Sequence, residues 1–259
     1  MNPRLIVPTV EQGLADAELA ATTAMTYHGG RVLANVQVFT IFWGAAWEDA
    51  ELAELPGQLN DFFDAILESS LMDLLAEYSV ADQTIGQGSR IGSATLVESE
   101  PGDGSGSVSD EEIRAALRAW IYAGTISAPT SDTLYFVYLP PGVTSTLGGQ
   151  GSCTTYCGYH NADGDVFYAV EPYLDCGGCD FTGVSVLANL TKVSSHELCE
   201  AVTDPALDAW YDEATGSEIG DVCNSANDVR QLDGWYVQTE WSNEQGACAL
   251  ERAAVRARA

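Results

Sequence analysis

Two rhythms of apolar residues run through this chain. Residues 36–43 (VQVFTIFW) are β-branched and aromatic almost without interruption, which predicts a strand buried on both faces. Residues 134–139 and 166–170 carry the same signature, and a further strand is expected near residues 92–97. Elsewhere the spacing is helical. Leu59, Phe62, Phe63, Ile66, Leu67, Leu71, Leu74 and Leu75 recur on one face and predict a helix from about residue 55 to 78. Ser109 with Glu112 matches a capping box and opens a second helix, to about Ala123. A third helix is expected from about Val184 to Val202, stopping before Pro205. Residues 235–241 (WYVQTEW) alternate as a strand, and residues 249–259 form a short helix or frayed tail.

The order strand, helix, strand, helix, strand, strand, helix predicts an α/β or α+β fold. By fold analogy it is a zincin-like mixed sheet packed on helices, with an active-site helix and a Cys-rich, loop-rich C-terminal part. Residues 1–30 read as an N-terminal lead-in with a short helix. Residues 31–259 read as a single zincin-like catalytic domain. Within it, Cys-rich loops span 150–182, a metal-site region 184–225, and a C-terminal strand and tail 226–259.

The charge narrows the partners. Thirty-eight acidic residues against ten basic ones leave a formal net charge of −28, and Lys192 is the sole lysine. Such a surface repels phosphate backbones and anionic lipid, which excludes nucleic acid as a natural partner. No apolar run approaches the roughly 18 residues needed for a membrane span, so no membrane insertion is expected. The oligomeric state is not legible.

All seven cysteines lie between Cys153 and Cys248, a clustering that points to disulfides and an oxidising, extracellular compartment. No signal-peptide core is visible in the first residues. Pairings such as Cys153–Cys157, Cys176–Cys179 and Cys223–Cys248 fit the spacing, with Cys199 left free. A four-cysteine zinc site on the first four is the weaker alternative.

The candidate chemistry sits on the third helix. His196 and Glu200 are four residues apart, hence on one face, and Glu197 adjoins them. In a His-Glu-x-x-His helix the two imidazoles hold zinc and the glutamate is general base. Here Glu200 stands at the second imidazole's position, a harder and more negative ligand. Glu218, 18 residues further on, is the expected third ligand, with Asp221 and Asp204 as rivals; Asp204 also suits the turn after the helix. Asp221 could alternatively orient a ligating His. His160 is a candidate ligand, oxyanion-stabilising group or structural histidine, and His28 reads as structural. Asn161, Asp163 and Asp165 begin like a calcium loop, but Val166 and Pro172 at its sixth and twelfth positions exclude an EF-hand and favour a tight Asp-Gly turn.

The stretches at residues 27–33 (YHGGRVL), 36–44 with its Phe42-Trp43-Gly44 ending, and 157–160 (CGYH) resemble the phosphate-induced, Exordium-like family. That resemblance implies an extracellular or wall-associated protein with disulfides. Residues 194–205 (SSHELCEAVTDP) look like bacterial relatives with a His-Glu-x-x-Glu signature, which plant members lack. The family label therefore implies no enzyme by itself. The residues predict a secreted zinc metallopeptidase or amidase acting on a peptide or protein, with His196, Glu200 and Glu218 holding Zn2+ and Glu197 as base. Ca2+ is a further candidate ion. The alternative is a non-catalytic extracellular binding protein with a structural cation.

Overall fold

The strand at residues 36–43 does bury both faces, and a computed structural model shows what covers each of them. The structure describes residues 7–9 and 24–253. Gln37–Trp43 lies inside a six-stranded mixed sheet. Across that sheet the order is Val7–Pro8, Tyr156–Asp163, Val166–Glu171, Thr133–Tyr138, Gln37–Trp43, Ser89–Leu96. The last four run parallel, and Tyr156–Asp163 is antiparallel to Val166–Glu171. The architecture is α+β with a mixed sheet, as expected.

Period-two alternation sorts the side chains between two cores. Phe39, Ile41, Tyr135, Val137 and Val170 meet Ile113 and Leu117 of helix Asp110–Ala123. Val38, Phe42, Leu134, Phe136 and Ala169 face the other way, toward helices Leu55–Ile66, Ser70–Leu75 and Val186–Thr203. The Ser109–Glu112 capping box forms as the sequence predicts, and Gly124 ends that helix at φ 71°. The Asp163-Gly164 turn also forms, with Gly164 at φ 65°.

Several expectations are corrected. The helix expected over residues 55–78 is two helices and a closing 3-10 turn at Ala76–Tyr78, broken at Ser69. The Ser69 hydroxyl donates to the Ile66 carbonyl (2.7 Å) and accepts from the Leu71 amide (3.3 Å), so it replaces helical bonds on both sides. The strand expected over 235–241 is likewise two, Trp235–Gln238 and Glu240–Ser242. They pair with Val229–Leu232 and Ala247–Ala249 respectively. The region 156–163, expected to belong to a Cys-rich loop, is a main-sheet strand. The lead-in contributes Val7–Pro8 to that sheet and Thr26–Tyr27 to a ribbon with Trp210–Tyr211. The short helix expected there and most of the tail lie outside the described residues.

Two of the three cysteine pairings are also corrected. Cys153 pairs with Cys176, Cys157 with Cys179, and Cys223 with Cys248 as expected. Near neighbours in sequence do not bridge, because Cys153 and Cys157 flank the turn into a strand whereas Cys176 and Cys179 flank a 3-10 turn packed beside it. These bonds use all four thiols, so no four-cysteine zinc site forms. Loops of 22, 23 and 25 residues make each bridge worth about 3 kcal/mol by chain entropy. Cys199 is free and buried, as expected.

Candidate metal centre

Helix Val186–Thr203 starts at Ser185, whose hydroxyl accepts from the Ala188 amide (3.1 Å), and every residue from Ala188 to Thr203 is buried. A helix buried all round is normally apolar. This one carries Asn189, Lys192, Ser194, Ser195, His196, Glu197, Glu200 and Thr203 inside. Its hydroxyls are satisfied locally: Ser195 donates to the Lys192 carbonyl (2.7 Å) and Ser194 bonds the Tyr138 hydroxyl (2.7 Å). The charged groups have no such local remedy, so their grouping calls for another explanation.

His196, Glu197 and Glu200 converge with two residues from outside the helix. His160 reaches in from strand Tyr156–Asp163. Its Nδ1 is 3.0 Å from Glu197 Oε2 and 3.6 Å from Glu200 Oε2. Glu218 approaches from the loop beyond, its Oε2 3.7 Å from His160 Nε2. His196 Nε2 is 3.1 Å from Glu200 Oε1. All five side chains are fully buried. Asp221 groups with His196 and Glu200 but also works for the backbone. Its Oδ2 accepts from the Glu218 amide (2.9 Å), and its own amide donates to Glu200 Oε1 (3.1 Å). Asp204 takes the turn role, accepting from the Asp208 and Ala209 amides, both at 2.6 Å. His28 is elsewhere, stacked on Tyr211 at 3.6 Å.

Sequence reasoning missed the surrounding groups. Glu171 ends the strand beside His160's own and faces the Ser194 side chain, and Glu240 lies in the strand after Thr239; both carboxylates are fully buried, and Glu240 has no hydrogen-bond partner among the described residues. Lys192 is the buried cation, its Nζ 2.5 Å from Asn224 Oδ1 and 3.8 Å from the Phe181 ring centre. An acidic residue ending an apolar strand was the available signal for Glu171. Gln238 had none. Its Nε2 donates to the Gly220 carbonyl (2.7 Å) and lies 2.8 Å from His196 Nδ1, while its backbone amide donates to Ser195 Oγ (2.9 Å).

Backbone crowding shapes the centre as well. A Cβ on Gly220 would fall 2.6 Å from His196 Nδ1 and 2.9 Å from Glu200 Oε1, so only glycine lets this loop close over these two side chains. A Cβ on Gly158 would fall 2.6 Å from Val193 Cγ1 and 3.2 Å from Glu197 Oε1.

Burial sets the protonation. It raises the Glu197 carboxyl to about 8, against the opposing pull of His196 and Lys192. It raises Glu200 and Glu218 well above the usual carboxylate range, and mutual repulsion adds to it. His196 falls to about 3 and Lys192 to about 7, both mainly by desolvation. Carboxyls held neutral beside neutral imidazoles are the state that a divalent cation displaces, releasing protons.

These residues fit a bound cation. Among the described residues, His160 Nε2, His196 Nε2, Glu200 Oε2 and both Glu218 oxygens are buried and lack hydrogen-bond partners. Orphaned buried polar atoms are rare and costly in folded proteins. Donor atoms within 4.8 Å of one another form two sets that share Glu200, one with His160 and Glu197 and one with His196 and Asp221, and Glu218 stands outside both. Two imidazoles with carboxylates suit zinc, and a more carboxylate-rich shell suits harder ions.

No family model matches the chain. Among curated proteins it is similar to Protein EXORDIUM-like 5 of Arabidopsis thaliana, 25% identical over 238 aligned residues. The likeness supports the Exordium-like resemblance. It covers 77% of this chain and spans 63% of that relative's length, under two thirds of it.

Gln238 Nε2, held by the Gly220 carbonyl, donates to His196 Nδ1 and so fixes the orientation of that ring in the centre. Gln238→Leu removes that support. It is expected to weaken zinc binding by about 10–100-fold while the far-ultraviolet spectrum stays unchanged, measured by competition with a chromophoric chelator. Unaltered affinity would show that Gln238 only braces the Gly220 loop.

Proposed function

We propose that this protein is a metal-dependent hydrolase of peptide or amide bonds, secreted into an oxidising compartment. One observation carries the reading: two sets of potential ligand atoms share Glu200, one with His160 and Glu197 and one with His196 and Asp221, and the Glu197 carboxyl among them is raised to about 8. The three disulfides support the compartment. Among the described residues no helix is long and apolar enough to cross a membrane.

His196, Glu200 and Glu218 would hold zinc, with His160 as a fourth ligand or a group facing the substrate carbonyl, and Asp221 fixing the Glu218 backbone. Bound zinc would supply Lewis acidity, polarising a carbonyl and making its water more acidic. Glu197 is the residue that moves protons. With a cation bound beside it Glu197 would be held as the carboxylate, which could take a proton from water and, tuned near neutrality, pass that proton to a leaving amine. His160 Nδ1 holds Oε2 and orients the carboxylate.

The rival reading is a binding protein with a structural cation. Complete burial of the centre and its carboxylate-rich shell favour it. Elemental analysis separates the two. The hydrolase reading expects about one tightly held zinc per chain, lost in His196→Ala, together with cleavage of a peptide library read by mass spectrometry. Calcium alone, with no cleavage, supports the rival instead.

A further inference from the structure

The two sets of ligand atoms divide Glu200 between them. Its Oε1 lies 3.1 Å from His196 Nε2, on the side where Asp221 joins the set. Its Oε2 lies 3.6 Å from His160 Nδ1, on the side of Glu197, whose own Oε2 is 3.0 Å from the same nitrogen. Each oxygen of one carboxylate therefore fronts a different imidazole. Atoms bound at about 2.1 Å to one ion stand about 3.0 Å apart at right angles and about 3.4 Å apart at tetrahedral ones, and all three separations are close to that size. Among the described residues, Glu200 Oε2 and His196 Nε2 are buried with no hydrogen-bond partner. The other nitrogen of His160, Nε2, faces Glu218 Oε2 at 3.7 Å. A metal on Nδ1 thus leaves an N–H aimed at a carboxylate, the usual backing of a ligating imidazole.

Charge points the same way. Glu197, Glu200 and Glu218 are fully buried and Asp221 stands against them, while the buried Lys192 ammonium is bonded to Asn224. Buried charge is stable only when it is matched. One divalent cation offsets two of these four carboxylates; two cations offset all four.

We propose that the centre holds two divalent cations bridged by Glu200. One lies at Oε1 with His196, where the hydrolase reading sets its zinc, and the second lies at Oε2 with His160 Nδ1 and Glu197. A bridge of this kind keeps its ions about 3.5–4 Å apart. The second ion takes Glu197 as a ligand and so withdraws the base, which leaves the one-ion form as the one that turns over. That consequence rests on the hydrolase reading; the ion pair does not.

The test uses the full chain, stripped of metal and titrated with Mn2+, whose spin reports a neighbouring ion. A surface of net charge −28 collects loose cations, so desalting precedes every measurement. The unaltered chain should retain two Mn2+, with the six-line electron paramagnetic resonance signal per ion at least five-fold weaker than in His160→Gln, which should retain one uncoupled ion. In a parallel zinc titration, peptide cleavage by the unaltered chain should fall at least ten-fold as the second equivalent binds. One retained ion, or two with uncoupled signals, overturns the pair even where cleavage with a single zinc upholds the hydrolase reading. A coupled pair without cleavage at any zinc ratio leaves the bridge standing and the hydrolase reading fallen. A coupled pair whose formation does not slow cleavage overturns the placing of Glu197 on the second ion. If His160→Gln fails to fold, free aqueous Mn2+ is the uncoupled reference, and a signal of that strength from the unaltered chain overturns the proposal.

Discussion

Glu197→Gln is expected to lower amide hydrolysis by about 10²–10⁴-fold while zinc stays in place. The substitution is nearly isosteric, so the contact with His160 Nδ1 persists and His196, Glu200 and Glu218 stay where they are. What disappears is the ability to accept a proton at Oε1. The same change removes a carboxyl from a cluster where burial and Glu197's charge push Glu171, Glu200 and Glu218 upward. Glu197→Gln should therefore make the metal-free protein more stable at neutral pH even as it abolishes turnover. Opposite signs on activity and stability distinguish a catalytic carboxylate from a structural one. Peptide cleavage and thermal melting, run side by side on the two proteins, provide the check. A variant that keeps its rate, or loses rate and stability together, contradicts the assignment.

The central part of this arrangement was legible from local spacing alone. His196 and Glu200 share a face because four residues make about one helical turn, and the capping chemistry at Ser109 is equally local. Glu218 was reachable by separation along the chain. His160 was visible as a candidate but its place was not, because the strand that delivers it was hidden. Cys157 and Gly158 interrupt the β-branched pattern of residues 156–163, and the disulfide to Cys179 is a tertiary fact. Gln238, Glu171 and Glu240 were illegible for the same reason. Each sits in an ordinary strand sequence, and only the packing of sheet and ribbon on helix Val186–Thr203 turns them toward the centre. The broken helix at Ser69 shows the limit from the other side. Hydrophobic periodicity continued through a residue whose hydroxyl interrupts the backbone ladder.

Metal removal should make the protein sensitive to alkali in a defined window. The buried carboxyls of Glu171, Glu197, Glu200, Glu218 and Glu240 all have folded-state pKa values above their unfolded ones, with desolvation the first cause in each. A group raised in this way binds its proton more tightly when folded. It contributes stability below the unfolded value, and that contribution is lost as pH climbs toward the folded one. The imidazoles work in the opposite direction: His160 and His196 are lowered, so their destabilising effect ends by about pH 6.5, their ordinary value. Lys192, lowered to about 7, begins to oppose the carboxyls only above that point, as a single group against several. Between pH 6.5 and 8 the carboxyls therefore decide the sign, and the metal-free protein should lose stability. A net excess of two protons costs about 4 kcal/mol over that range, roughly 10 °C in melting temperature for a chain of this length. A bound divalent cation takes the place of those protons, so the zinc-loaded protein should melt at nearly constant temperature across the same window. Its uptake should release protons, visible as a binding heat that changes with the buffer's ionisation enthalpy. Scanning calorimetry of chelated and zinc-loaded protein at pH 6.5 and 8 gives the comparison. A metal-free melting temperature that holds or rises over that interval would mean that these carboxyls are not held neutral, and the proposed exchange of protons for a cation would lose its basis.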